Sequence, residues 1–417
     1  MKQFFAPGSL LSYKGYRQLW ISSVLVTLGA AAFPIALAVT VLDAGATATT
    51  LGLILAARVL SAVLFGLVGG VWTDRLPRKH VMIGADIYRG LLMLALVFVA
   101  TPQVAPWILG ALVFLMGIGE AFGMPASGAI LPSLLPDELL PAGNVMRGVS
   151  ARIATVVGPG LGGFSVALIG GRLTFGITAL FFFAGTALLF SIHEKPRQVN
   201  DKSPSFISEL REGVVAVWHI PWVAAIIGVC SMQLMLVLAG QGVLLPIITR
   251  RQFHSNTVFA LAEVAFSLGA VVSAVFAVKY KAKHPGLVSM ILWSFFAVTP
   301  LVLAFPISPA FVLIGFMIGG ISIGPWEAYW NTALQREIPT ELQGRVFSVD
   351  YMGSTALMPL GFAIVGPVTQ VIGEKPFLLG AVIFHVTLCA LVLLVPGVKD
   401  MRAPQKLDSS QGEQVQA

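Results

Sequence analysis

Long apolar runs separated by short polar connections set the pattern along the whole chain. A helix rises about 1.5 Å per residue, so about 20 mainly apolar residues cross the hydrocarbon core of a bilayer. Twelve stretches meet this requirement, at roughly 19–42, 51–72, 81–101, 106–133, 147–170, 173–192, 220–248, 257–278, 286–305, 309–332, 347–372 and 377–397. Inside a bilayer the backbone must satisfy its own polar groups, and a helix does so within one segment. The pattern predicts an all-α membrane protein with twelve transmembrane helices.

One extended polar stretch interrupts the series at its midpoint, 193–219, with Glu194, Lys195, Arg197, Asp201, Lys202, Glu209, Arg211 and Glu212. Its later part, SFISELREGVVAVW, has the makings of an amphipathic surface helix. The expected organisation is a six-helix bundle over 1–192, a linker over 193–219, a second six-helix bundle over 220–399 and a disordered tail over 400–417. The two bundles repeat one another at an offset of 203 residues. Leu135-Pro136-Asp137-Glu138-Leu139 aligns with Ile338-Pro339-Thr340-Glu341-Leu342. In the same register Gly117, Gly158, Gly163 and Gly170 align with Gly320, Gly361, Gly366 and Gly373, and Ile169 with Ile372. Parallel repeats of this kind belong to transporters that rock about a site between their halves.

Composition narrows the class further. Hydrophobic residues make up 57 % of the 417 positions and charged residues 11 %, where a soluble domain has about 25 % charged. That excludes a soluble enzyme, a disordered chain and a disulfide-stapled secreted domain. The net charge of +7 has a topological reading. With the N-terminus inside, inward-facing segments hold 19 Lys and Arg and outward-facing loops hold 4. The positive-inside rule then puts both termini in the cytoplasm. Nucleic acid is not an expected partner, because no basic-aromatic patch stands outside the apolar spans. The first apolar run is too long for a signal peptide and reads as an uncleaved helix. Cys230 and Cys389 both fall inside apolar segments and read as small buried hydrophobes, with no metal or disulfide spacing.

The loop between the second and third spans reads Gly69-Gly70-Val71-Trp72-Thr73-Asp74-Arg75-Leu76-Pro77-Arg78-Lys79. Gly70 permits close backbone approach, and Asp74 is an acid among three bases, suited to the positive end of a helix. Such a cluster would gate the cytoplasmic face. The segment resembles the signature loop of the major facilitator superfamily, G-x-x-x-D-R-x-G-R-K, through Gly70, Asp74, Arg75, Arg78 and Lys79, with Pro77 in place of the family's glycine. In the fifth span, Gly158-Pro159-Gly160-Leu161-Gly162-Gly163 combines a proline that removes a backbone donor with glycines that permit close packing. Gly158, Pro159, Gly162 and Gly163 resemble the end of the motif of the superfamily's exporters, although Val145 and Ala154 stand where that pattern has glycines. Pro125-Ala126, Leu131-Pro132, Asp137-Glu138 and Ala142-Gly143-Asn144 resemble the branch that contains enterobactin exporters and macrolide efflux proteins. The fourth span lacks the arginine of other drug-exporter branches before its end, so their proton relay is not carried over.

Charges within hydrocarbon are costly, which makes each a candidate site. Glu120 lies near the middle of the fourth span, which the resemblance makes a cavity-lining helix; it is the first choice for proton coupling or substrate recognition. Glu327 stands beside Trp326, Tyr329, Trp330 and Asn331, a set able to grip an amphipathic or cationic substrate by stacking, cation–π contact and one carboxylate. Arg58 and Glu263 are candidate structural or gating charges without assigned partners. Asp86 and Arg89 are spaced to pair on one helix face. Asp43 is expected to be solvated, Asp350 to meet Arg75 or Arg78, and His385 to be a packing residue, while the facing of Gln233 and Gln241 is open.

No nucleotide-binding G-x-x-x-x-G-K-[ST] occurs, and no nucleophile–base set for hydrolysis is evident. The expectation is a secondary transporter and not an enzyme, with no cofactor and the proton gradient as its energy source. It would export an antibiotic, drug or siderophore across a prokaryotic inner membrane. A small molecule and the bilayer are its expected partners, and a monomer its expected state. An uptake permease of the same fold and a non-transporting receptor are the alternatives.

Overall fold

The computed structural model describes residues 9–194, 206–279 and 282–402, apart from the side chains of 67–75, 124–125, 206–210, 275–279 and 340–341. Most of the linker's charged residues and the tail beyond 402 therefore lie outside the described residues, as do the side chains at Gly70, Asp74 and Arg75.

Every described element is helical. The first half contains α1 (Lys14–Asp43), α2 (Ala48–Arg75), α3 (Arg78–Val99), α4 (Pro106–Ala129) and α5 (Leu140–Phe190). The linker ends in α6 (Phe206–Trp218). The second half contains α7 (Pro221–Gln233), α8 (Ala239–Phe253), α9 (Asn256–Lys279), α10 (Pro285–Ser294), α11 (Val298–Ala304), α12 (Pro309–Glu337), α13 (Thr340–Thr355), α14 (Met358–Ile372) and α15 (Glu374–Val392). A π-turn, Leu234–Leu238, joins α7 to α8, and a 3₁₀ turn, Phe295–Ala297, joins α10 to α11. Proline opens several of these helices, at a position where its missing N–H has no intrahelical partner to lose.

Eleven stretches among the described residues are long and apolar enough to cross a membrane. One of them, Asp137–Phe190, has 54 residues. At 1.5 Å per residue it would be about 80 Å long, well over twice a hydrocarbon core. It breaks at Gly170, with φ 80° and ψ 163°, and so supplies two crossings. Counted this way the chain crosses twelve times, as the apolar pattern predicts. Gly373 has φ 87° and ψ 157° between α14 and α15, 203 residues later. The same backbone conformation, which glycine alone adopts without strain, thus makes the corresponding turn in each half. The repeat also holds in the packing. A Cβ on Gly117 would collide with the Arg58 carbonyl of α2, and one on Gly320 with the Phe266 carbonyl of α9.

The halves meet on the side away from the linker. There α2 packs on α14 and α5 packs on α9. A Cβ on Gly366 would collide with the Thr49 backbone, and one on Gly52 with the Phe362 carbonyl. Thr49 Oγ1 also accepts a hydrogen bond from Gln370 Nε2 at 3.2 Å. Asp43, expected to be solvated, instead pairs with Arg250 at 2.7 Å across the same seam. One face of α5 shows the geometry of the opposite side. Gly160 and Gly163 contact α9 near one end of that face. Val145, Val149 and Ile153 continue the face toward the linker side and are 65 %, 52 % and 55 % exposed. The halves part toward the linker.

Candidate functional site

An ionic network, buried at Asp86 and Arg89 and half-buried at Arg58 and Glu120, connects α2, α3 and α4. Glu120 accepts from Arg58 Nη2 at 2.7 Å and from Arg58 Nε at 3.1 Å, a two-pronged pair. Arg89 Nη2 lies 3.7 Å from the same carboxylate, and Arg89 Nη1 lies 3.8 Å from Asp86. Two acids and two bases leave the set neutral, which is the arrangement that makes charges tolerable away from water. Aromatic faces complete the enclosure. The Arg89 guanidinium sits 4.4 Å from the Phe182 ring centre and that of Arg58 5.5 Å from Phe33. The pairing of Asp86 with Arg89 follows their spacing, whereas the Arg58–Glu120 pair spans 62 residues. The two acids and two bases within one half were the available sequence signal for this network.

The network faces the second half. Tyr351 of α13 is within electrostatic reach of both Glu120 and Arg58, and it is 63 % exposed. Arg152 of α5 reaches across to Glu327 of α12 at 3.2 Å, with both side chains about half exposed. Acid, base and phenol from both halves therefore border one seam.

The aromatic neighbours of Glu327 divide. Trp330 is buried, lies 5.7 Å from Trp326 and 6.0 Å from Trp222, and donates from Nε1 to Asp350 at 2.9 Å. Trp326 stacks in turn on Trp293 at 5.8 Å. These rings pack within the second half in this conformation. Tyr329 is half-buried and Asn331 is exposed. Asp350 is occupied by Trp330 and Ser354, not by Arg78.

The described bases of the loop motif hold helix ends within the first half. Arg78 donates to the Ala129 carbonyl at the end of α4. Lys79 Nζ donates to the carbonyls of Phe190 and Ile192, each at 2.7 Å, at the end of α5. Glu194 accepts from the Arg78 and Lys79 backbone N–H groups at 3.3 and 3.0 Å, capping the positive end of α3. In the exporter-type motif, Gly158 packs against Ala31 and Gly162 against Ala32 of α1, while Gly163 packs against Ala260 of α9. Pro159 is buried between these contacts. The motif is where α5 touches both its own half and the other.

His385 is fully buried beside the Trp293 carbonyl, as a packing residue would be. Gln233 is buried in the same cluster, accepting from Trp293 Nε1 at 2.8 Å. Gln241 is buried, 3 % exposed. No group of three or more His, Cys, Asp or Glu able to hold a metal occurs among the described residues.

Residues 19–362 match the model of the Major Facilitator Superfamily, and the chain belongs to that family. It is 26 % identical to macrolide efflux protein A of Enterococcus faecalis over 72 % of this chain and 95 % of that one. It is 26 % identical to the multidrug efflux pump Tap of Mycolicibacterium fortuitum over 88 % of this chain and 92 % of the pump. Among solved structures, a nucleoside transporter, NupG, covers 91 % of the chain with a TM-score of 0.70 at 14 % identity, itself covered to 98 %. A D-xylose–proton symporter covers 93 % with a TM-score of 0.70 at 11 % identity, itself covered to 99 %. The protein is a multi-pass membrane transporter of the superfamily.

Proposed function

We propose that the protein exports a small amphipathic compound, of the antibiotic or drug type, by antiport against protons. Alternating access about the seam between the halves would carry the compound across. The observation that carries this reading is the Arg58–Glu120 pair with Arg89 behind it. A neutral network of four ionisable groups inside a membrane is costly to keep and marks a candidate transport path. It presents both signs of charge to the seam, so a substrate with either charge has a partner there once the pair separates. Export is supported by the names of the efflux relatives and by the Gly158–Gly163 motif. The bacterial relatives support a prokaryotic inner membrane, and the Lys and Arg distribution supports cytoplasmic termini, which makes the present conformation open to the cytoplasm.

Glu120 and Arg58 recognise the substrate in this scheme. Glu327 and Arg152 close the seam, with Tyr329 and Asn331 of α12 beside them. The loop that includes Gly70, Asp74, Arg75, Arg78 and Lys79 gates the linker side. The test is proton flux in respiring inside-out vesicles, with macrolides and other antibiotics added one at a time. A compound that discharges the gradient through the parent protein and not through Glu120→Gln supports the reading. Equal responses of parent and variant would remove Glu120 from the site.

A further inference from the structure

The polar linker ends in a helix with two unlike faces. One face of α6 is docked on the second half through Gly213 and Val217. A Cβ on Gly213 would lie 3.0 Å from the Arg345 carbonyl oxygen and 3.0 Å from Val349 of α13, so the two helices touch at the backbone there. Val217, one turn on, is 5 % exposed, in the apolar cluster that includes Trp222 of α7 and Val346 of α13. Glu212 pairs with Arg345 at the edge of this contact. α6 therefore moves with α13 and belongs mechanically to the second half.

The opposite face is apolar and uncovered. Val214, Val215 and Trp218 are 44 %, 44 % and 78 % exposed. At about 100° per residue, Arg211, Val214, Val215 and Trp218 fall in one stripe about 100° wide, turned away from Gly213 and Val217. Arg211 is exposed in that stripe and has no partner among the described residues. A helix between protein and water carries polar side chains on its outer face. Three large apolar side chains around one guanidinium instead match a helix that lies in the plane of a bilayer surface.

Chain connectivity places the stripe at that surface. Only His219 and Ile220 separate Trp218 from Pro221, the first residue of α7. The backbone N and the Nδ1 of His219 lie 3.0 and 2.7 Å from the Val215 carbonyl, which closes the last turn of α6 and sends the chain directly into the span. No Asp, Glu, Lys or Arg follows until Arg250, in the last turn of α8. Trp218 thus stands within about 11 Å, three extended residues, of the start of an uncharged span. Tryptophan settles at such a boundary, with its ring toward the acyl chains and its N–H toward water. Arginine in the same stripe covers apolar surface with its stem and reaches phosphate with its fork of donors.

We propose that the stripe of Arg211, Val214, Val215 and Trp218 on α6 is a docking surface for anionic lipid headgroups of the leaflet on the linker side. Arg211 binds the lipid phosphate, and Trp218 and the two valines sit at the acyl boundary. Because α6 is fixed to α13, this contact holds the second half in its present tilt, open toward the linker. The charge of that leaflet then sets how much of the transporter stands in this state. Neither the substrate nor the coupling ion enters into this contact.

The experiment uses full-length protein in lipid nanodiscs, where both faces meet the reagent, made of phosphatidylcholine alone or of phosphatidylcholine with phosphatidylglycerol. A spin label on Val214→Cys or Trp218→Cys should collide more with oxygen, which dissolves in the bilayer, than with a water-soluble nickel chelate. A label on Asp137→Cys, an exposed site in the turn between α4 and α5, should show the reverse order. Labels on Val214→Cys and Trp218→Cys that behave like the one on Asp137→Cys would put the stripe in water and overturn the proposal. Opening toward the linker is read from the rate at which a water-soluble maleimide reacts with Val149→Cys, exposed on α5, and the parent, with Cys230 and Cys389 alone, supplies the background. The rate should be about fivefold higher with phosphatidylglycerol, the factor that one basic side chain contributes at an anionic surface. Arg211→Gln should remove the difference, and Arg211→Lys should keep most of it. Equal rates in the two lipids, or a difference undiminished in Arg211→Gln, overturns the proposal. Glycerol phosphate added to the phosphatidylcholine discs should leave the rate unchanged; a rise there would overturn the lipid surface in favour of free phosphate.

Discussion

Arg58 on α2 holds the carboxylate of Glu120 on α4 through two nitrogens, at 2.7 and 3.1 Å, inside a half whose buried base, Arg89, lies 3.7 Å from the same acid. The acid is therefore the hub of the network. Removing it leaves Arg58 without its anion and Arg89 with Asp86 alone, at 3.8 Å, while removing Arg58 leaves the acid with Arg89 still at hand.

The two substitutions should therefore differ. Glu120→Ala is expected to lower stability by on the order of 3 kcal/mol, the scale of a broken buried pair. Arg58→Ala should cost less. Thermal melting of both variants in one detergent, against the parent, measures the difference. Equal losses would mean that Arg89 does not share the acid.

The sealed side predicts a reversible lock. Thr49 and Gln370 belong to different halves and are hydrogen-bonded at 3.2 Å. A short cross-linker joining Thr49→Cys to Gln370→Cys should hold the halves together there and abolish transport. A cleavable cross-linker should restore it on cleavage. Transport that continues through the intact cross-link would show that this seam does not open during the cycle.

Gly170 and Gly373 predict a matched pair of effects. Both occupy a backbone region closed to side chains, at φ 80° and 87°. An alanine at either site should cost about 1–3 kcal/mol. The two losses should be similar, because each turn joins the last two spans of its half. Melting temperatures of Gly170→Ala and Gly373→Ala test this directly.

The exporter-type motif predicts overpacking. A side chain at Gly158 would enter the space of Ala31 and one at Gly163 that of Ala260. Gly158→Leu acts within the first half and should lower stability by about 1–3 kcal/mol. Gly163→Leu acts across the seam and should instead favour the state open on the side away from the linker. Accessibility of an Asp43→Cys thiol to a membrane-impermeant maleimide reads that shift.

The crossings were legible because hydropathy reports the solvent a segment faces, and a bilayer imposes a fixed length on each segment. The repeat was legible in Gly170 and Gly373 because one backbone conformation admits only glycine. The partners were not. Arg58 and Glu120 are both visible as charges in spans, but their meeting depends on how α2 and α4 are turned toward each other. Asp43 illustrates the same limit: its place at a helix end reads as solvent, and only the approach of the second half brings Arg250 to it. Trp330 shares a stretch with Glu327, yet a helix turns by about 100° per residue, so neighbours in sequence face different surroundings.

Proton-driven export is tested most directly by erythromycin accumulation in inside-out membrane vesicles from cells producing the protein. The account predicts accumulation that depends on respiration, collapses on adding a protonophore, and is lost in Glu120→Gln. Accumulation only in right-side-out vesicles, or accumulation indifferent to the protonophore, would contradict it.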